Sequence, residues 1–172
     1  MTKNALMVGL ALAMLSVRGA SVHAQKTDDA CALLQAAEIQ VLAGSGKVGA
    51  GQSSTDPLSS RMCRYEWGSG GNVQGGRSLL DVTVTPTAKA YPGTDASVVR
   101  QGLLAIVKAG DPNAGVIAAV GDAAIYQSNA PIRVVTTALV KGNVLIVTFQ
   151  SADARGKKDQ VIALLKAAAG RL

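Results

Sequence analysis

Residues 132–150, IRVVTTALVKGNVLIVTFQ, constrain this chain more than any other stretch. Val, Ile, Thr and Phe fill both arms, and such residues suit a pleated, packed surface. Gly142 and Asn143 between the arms predict a two-residue hairpin turn, because tight hairpin turns need positive φ. Lys141 and Gly142 form the alternative turn pair, which shifts the register by one. On the second arm Val144, Ile146 and Thr148 share one face, while Leu145, Val147 and Phe149 share the other. Both faces are mostly apolar, so this arm belongs inside the sheet with a layer packed on each side. Helices must supply those layers.

The first 24 residues read as a secretory leader. Lys3 gives the positive start, residues 5–17 the apolar run, and Val22, His23 and Ala24 a small-residue cleavage site. The run is shorter than the roughly 20 residues a membrane span needs. Cleavage is expected after Ala24, leaving residues 25–172 as a single secreted α+β domain with no transmembrane segment. No Cys stands where lipidation would need one, so a lipid-free periplasmic or secreted protein is expected. Removal of the leader takes Lys3, Arg18 and the only histidine, His23, and leaves a mild excess of positive charge. The basic residues are scattered, and the aromatic ones (Tyr65, Trp67, Tyr91, Tyr126, Phe149) do not interleave with them as a single-strand nucleic-acid platform requires. No nucleic-acid partner is expected.

Two cysteines remain, Cys31 and Cys63. In an oxidising compartment they read as a disulfide. A metal or redox pair is the competing reading, and the lack of CxxC spacing and of a histidine stands against it.

Taken in order, the chain predicts a helix over residues 30–43, capped by Asp28 or Asp29 and stopped at Gly44. Residues 44–60 read as a Gly/Ser-rich loop. Gly44, Gly46 and Gly49 match G-x-G-x-x-G, but they follow a helix instead of opening one, so no phosphate cradle is expected there. Residues 62–68 alternate as a half-buried strand, with Cys63, Tyr65 and Trp67 on one face and Arg64 and Glu66 on the other. A glycine-rich connection over 68–76 leads to a strand in which Leu80, Val82 and Val84 point inward. A second helix is expected over 96–109, capped by Thr94 or Asp95, with Val99, Leu103 and Ile106 as its apolar stripe. A short strand over 123–127 precedes the hairpin. A last helix, started by Ser151 or Asp153, buries Val161, Leu164, Leu165 and Ala168. The expected fold is α+β: an antiparallel sheet of about five strands packed with three helices, in the order α-β-β-α-β-β-β-α.

Cys31-Ala-Leu-Leu, Glu38-Ile39, Leu42-Ala-Gly44, Cys63-Arg-Tyr65 and Val120-Gly-Asp-Ala-Ala-Ile-Tyr126 together resemble a broad group of small secreted bacterial proteins, periplasmic or lipoprotein, of unknown function. The resemblance spans nearly all of the chain after the leader. It implies a Cys31–Cys63 bridge and an antiparallel sheet with helices, and it carries over no catalytic residue.

Without histidine after the leader, Ser-His-Asp and Cys-His machinery is excluded, and no metal or other cofactor is expected. Glu66 and Asp81 form a carboxylate pair only if their strands are adjacent and both point outward. Ser–Lys chemistry finds no S-x-x-K spacing. Tyr65 and Trp67 are candidates for lining a small apolar pocket, although their alternation points to the core. Tyr126 is a candidate for partner contact, with packing as its competing role. The expected function is non-enzymatic binding of a periplasmic or envelope protein through a sheet face or the glycine-rich loops. An apolar-ligand carrier and a histidine-free hydrolase are the alternatives. Nothing in the sequence sets an oligomeric state.

Overall fold

The computed structural model of the chain describes residues 29–172, the side chain of Asn129 excepted. The expected leader and the Asp28 cap lie outside the described residues. Seven strands make one antiparallel sheet: β1 (Gln52–Thr55), β2 (Arg61–Trp67), β3 (Ser78–Pro86), β4 (Ala114–Val116), β5 (Ala123–Ala130), β6 (Arg133–Val140) and β7 (Asn143–Gln150). Their spatial order is β1-β2-β3-β7-β6-β5-β4. The α-helices are α1 (Ala36–Ala43), α2 (Thr87–Ala90), α3 (Ala96–Lys108) and α4 (Lys158–Arg171), with 3-10 turns at Ala30–Leu33 and Ala154–Lys157. The α+β class and the antiparallel sheet are as expected. The counts are corrected: among the described residues seven strands and four α-helices stand where about five and three were expected. The order becomes α-β-β-β-α-α-β-β-β-β-α.

The two added strands are the two edges of the sheet. Every residue of β1 is exposed, so β1 is held by backbone pairing to β2, from Gln52↔Arg64 to Thr55↔Arg61, with no apolar alternation to announce it. β4 is three residues long and has a glycine at its centre. A Cβ on Gly115 would lie 2.5 Å from the Tyr126 ring, so only glycine lets β4 approach β5 this closely. The extra helix α2 is one turn with no buried residue.

The expected first helix is divided in two. Leu34 and Gln35 are extended, with φ −125° and −89°. Two N-caps compete within one short stretch: Asp29 accepts from the Cys31 N–H at 2.8 Å, and Glu38 accepts from the Gln35 N–H at 2.8 Å in a capping box. The break lets Leu33, Leu34, Ile39 and Leu42 all reach the core.

The central hairpin turns on Lys141 and Gly142, with φ 48° and 76°, so Val140 pairs with Asn143. Of the two registers the sequence allows, this is the alternative one. Asn143 is the first strand residue, and its amide donates back to the Lys141 carbonyl.

β7 lies fourth of the seven strands and is packed on both sides. On one face Leu145, Val147 and Phe149 join Leu80, Val82, Val84 and Val134 beneath the first 3-10 turn, α1 and α4. Each such side chain contributes about 1.5–3 kcal/mol by leaving water. On the other face Val144 joins Ile125 and Leu139 under Val99 and Leu103 of α3.

Candidate functional site

The alternation of β2 brings Cys63, Tyr65 and Trp67 onto the face covered by α1 and α4. Cys63 is bonded to Cys31, with a Cα–Cα distance of 4.9 Å, so the disulfide ties the first 3-10 turn to β2. A disulfide fits an oxidising compartment. The Tyr65 hydroxyl donates to the Cys31 carbonyl at 3.1 Å, and burial, aided by the charge of Asp29, pushes the phenol above its usual pKa. Trp67 stacks on Phe149 with ring centroids 5.7 Å apart. Both aromatic residues are buried, so they pack this face. Tyr126 is half-buried on β5, with the Lys158 ammonium 4.8 Å from its ring centroid.

The glycines of the G-x-G-x-x-G stretch guide the chain past β2. Gly44 ends α1 with φ 62°, a Cβ on Gly46 would lie 2.8 Å from Trp67, and the Gly49 N–H donates to the Glu66 carbonyl.

The opposite face of the sheet differs in kind. α3 lies over β4 and β5, and α2 over the ends of β3 and β7. Much of the rest is half-buried: Met62, Arg64 and Glu66 of β2, Leu79, Asp81 and Thr83 of β3, Ile146 and Thr148 of β7, and Val135 of β6. Glu66 and Asp81 do lie outward on adjacent strands, as their pairing condition requires. Each is held by an arginine. Arg64 grips Asp81 with two hydrogen bonds of 2.7 and 3.0 Å, and that carboxylate raises the guanidinium pKa above its usual value. Arg77 holds Glu66. The Arg64–Asp81 fork and the single Arg77–Glu66 contact hold both carboxylates in ion pairs.

Where α3 meets the sheet there is an apolar groove of about 270 Å³, lined by Tyr91, Val98, Gly102, Ile106, Thr137, Leu139 and Val144 among others. Six large apolar side chains among the described residues are exposed, and Tyr91, Val98 and Ile106 are three of them. Val116, a fourth, stands on β4 opposite Ile125, on the same face. The helical stripe expected from the sequence points Ile106 inward, whereas it stands exposed. The available signal was Val98, an apolar residue off that stripe.

Among the described residues no group of three or more His, Cys, Asp or Glu could hold a metal ion, and no helix is long and apolar enough to cross a membrane. Comparison with protein-family models, with curated proteins and with solved structures finds no match to this chain.

Proposed function

We propose that this protein is a non-catalytic contact module of the periplasm or cell exterior, and that it meets a protein or cell-envelope partner through the part of the sheet left open beside α3. The observation that carries this reading is the unequal cover of the two faces. One face is covered by two helices and a 3-10 turn; the other carries α3, the single turn of α2 and a band of half-buried strand residues. Clustering of exposed apolar side chains on one face marks interaction surfaces. The Arg64–Asp81 and Glu66–Arg77 ion pairs give that band a fixed pattern of charge for a partner to match. The disulfide supports the compartment, and membership of the group of small secreted bacterial proteins belongs to the same reading.

The test is capture from an envelope extract with the purified protein, beside a Val98→Asp/Ile106→Asp variant. Both side chains are exposed, so the variant should keep its melting temperature and lose the captured partner. A partner retained by the folded variant places the contact elsewhere and overturns the assignment to this face.

A further inference from the structure

We propose that the α3 face also holds a binding site for a free anionic amphiphile, a single-chain fatty acid of medium length, with its tail beside α3 and its carboxylate at Arg133. This goes beyond the partner reading and stands without it. Leu139, Thr137, Val135 and Arg133 of β6 alternate onto the face that α3 partly covers. Two hollows follow one another along that line. The first is the apolar groove of about 270 Å³, with Val98, Gly102 and Ile106 as its wall and Leu139 and Val144 as its floor. The second, of about 310 Å³, is lined by Gln127, Ala130, Arg133 and Val135. Thr137 of the first hollow and Val135 of the second are successive residues on the same face of β6, so both hollows border one strand.

The lining changes along this track from aliphatic to cationic. Arg133 is exposed, and its cross-strand neighbours, Ala130 and Gln150, carry no charge. Arg64 and Arg77, on the same face, each hold a carboxylate; Arg133 has none among the described residues. An amphiphile with a carboxylate head supplies it, and the charge is complementary. From Thr137 to Arg133 the strand advances about 13 Å at about 3.3 Å per residue. An extended alkyl chain built from C–C bonds of about 1.5 Å covers that length with about ten carbons.

The experiment titrates the purified protein with octanoate and decanoate below their micellar concentrations, followed by calorimetry and by amide NMR shifts. Decanoate should move the amides of Gly102, Val135 and Thr137, and affinity should rise about fourfold per added methylene. Decyltrimethylammonium, with the same tail and the opposite charge, should bind at least about tenfold more weakly, a difference of about 1.4 kcal/mol. Arg133→Gln should erase that difference. A Cβ added at Gly102 meets nothing within 4 Å, so Gly102→Leu should fill the groove and abolish binding without lowering the melting temperature. Equal binding of the cation, decanoate binding that survives Gly102→Leu, or the absence of shifts at those amides at about 1 mM decanoate would each overturn the site. Binding to phosphatidylglycerol vesicles without binding of free decanoate would overturn its assignment to a free acid.

Discussion

On the face under α1 and α4, Leu80, Val82, Val84, Leu145, Val147 and Phe149 are all 0–1% exposed. On the face under α3, the strand residues Ile125, Val144 and Leu139 keep 0%, 4% and 5%, and the covering helix residues Val99 and Leu103 keep 8% and 9%. The same strand, β7, supplies side chains to both, so the difference does not come from the sheet. It comes from what lies on it. Two helices, a 3-10 turn, a disulfide and an aromatic stack cover one face and leave a hollow of about 380 Å³ beside α1; α3 and the single turn of α2 cover less of the other and leave a groove along α3. A sealed face resists change because every added or lost methylene is felt. A face with a groove can alter its side chains at small cost in stability, and so is free to serve contact.

That contrast can be broken by measurement. Phe149→Ala removes the ring stacked on Trp67 and should cost about 4 kcal/mol, read by denaturant unfolding with Trp67 fluorescence. Replacing both cysteines by serine should cost about 3.5 kcal/mol in the chain-entropy account, and a loss under about 1 kcal/mol would remove the bridge from the explanation. Leu103→Ala, on the α3 face, should cost only about 2 kcal/mol, the low end for a leucine. If it matches Phe149→Ala, the two faces are equally closed and the comparison fails.

The smallest effect sits at the rim of the sealed face. Arg171, in the last turn of α4, donates to both carboxylate oxygens of Glu38 at 2.8 and 2.7 Å and to the Leu33 carbonyl at 2.8 Å. The Arg171 hydrogen bond lowers the Glu38 pKa below its ordinary 4.5 against the opposing effect of burial. A lowered folded pKa means that the unfolded chain binds more protons in that range. The stabilisation is therefore complete above 4.5 and is lost as pH falls through the folded value. Glu38→Gln should cost about 1 kcal/mol near neutral pH, and should flatten this part of the acid loss when urea unfolding is compared at about pH 7 and about pH 3.

Much of the sealed face was legible in the chain. Period-two alternation in β2 and β3 and helical spacing in α4 named Cys63, Leu80, Val82, Val84, Val161 and Leu165 as inward, because their burial is written into local pattern. The edge strands were not legible: β1 owes its place to a neighbour's backbone, and backbone pairing has no side-chain signature. The break at Leu34 escaped because two capping arrangements, at Asp29 and Gln35, look by composition like one helix. Neither hollow of the α3 face was legible either. Gln127, Val135 and Arg133 line one hollow because β5 and β6 pair, and the other exists because α3 rests on the far end of the same pair. Both are facts of tertiary placement.

Gly51 passes directly over the disulfide. A Cβ there would lie 2.7 Å from the Cys63 sulfur and 3.0 Å from that of Cys31, and Cys63 is fully buried. The consequence is a demand on one position: a side chain at residue 51 would press on both sulfurs and on the Tyr65 ring, so only glycine lets the chain cross the bridge there. Half-buried Cys31 meanwhile keeps its own side of the bridge in a hollow open to solvent.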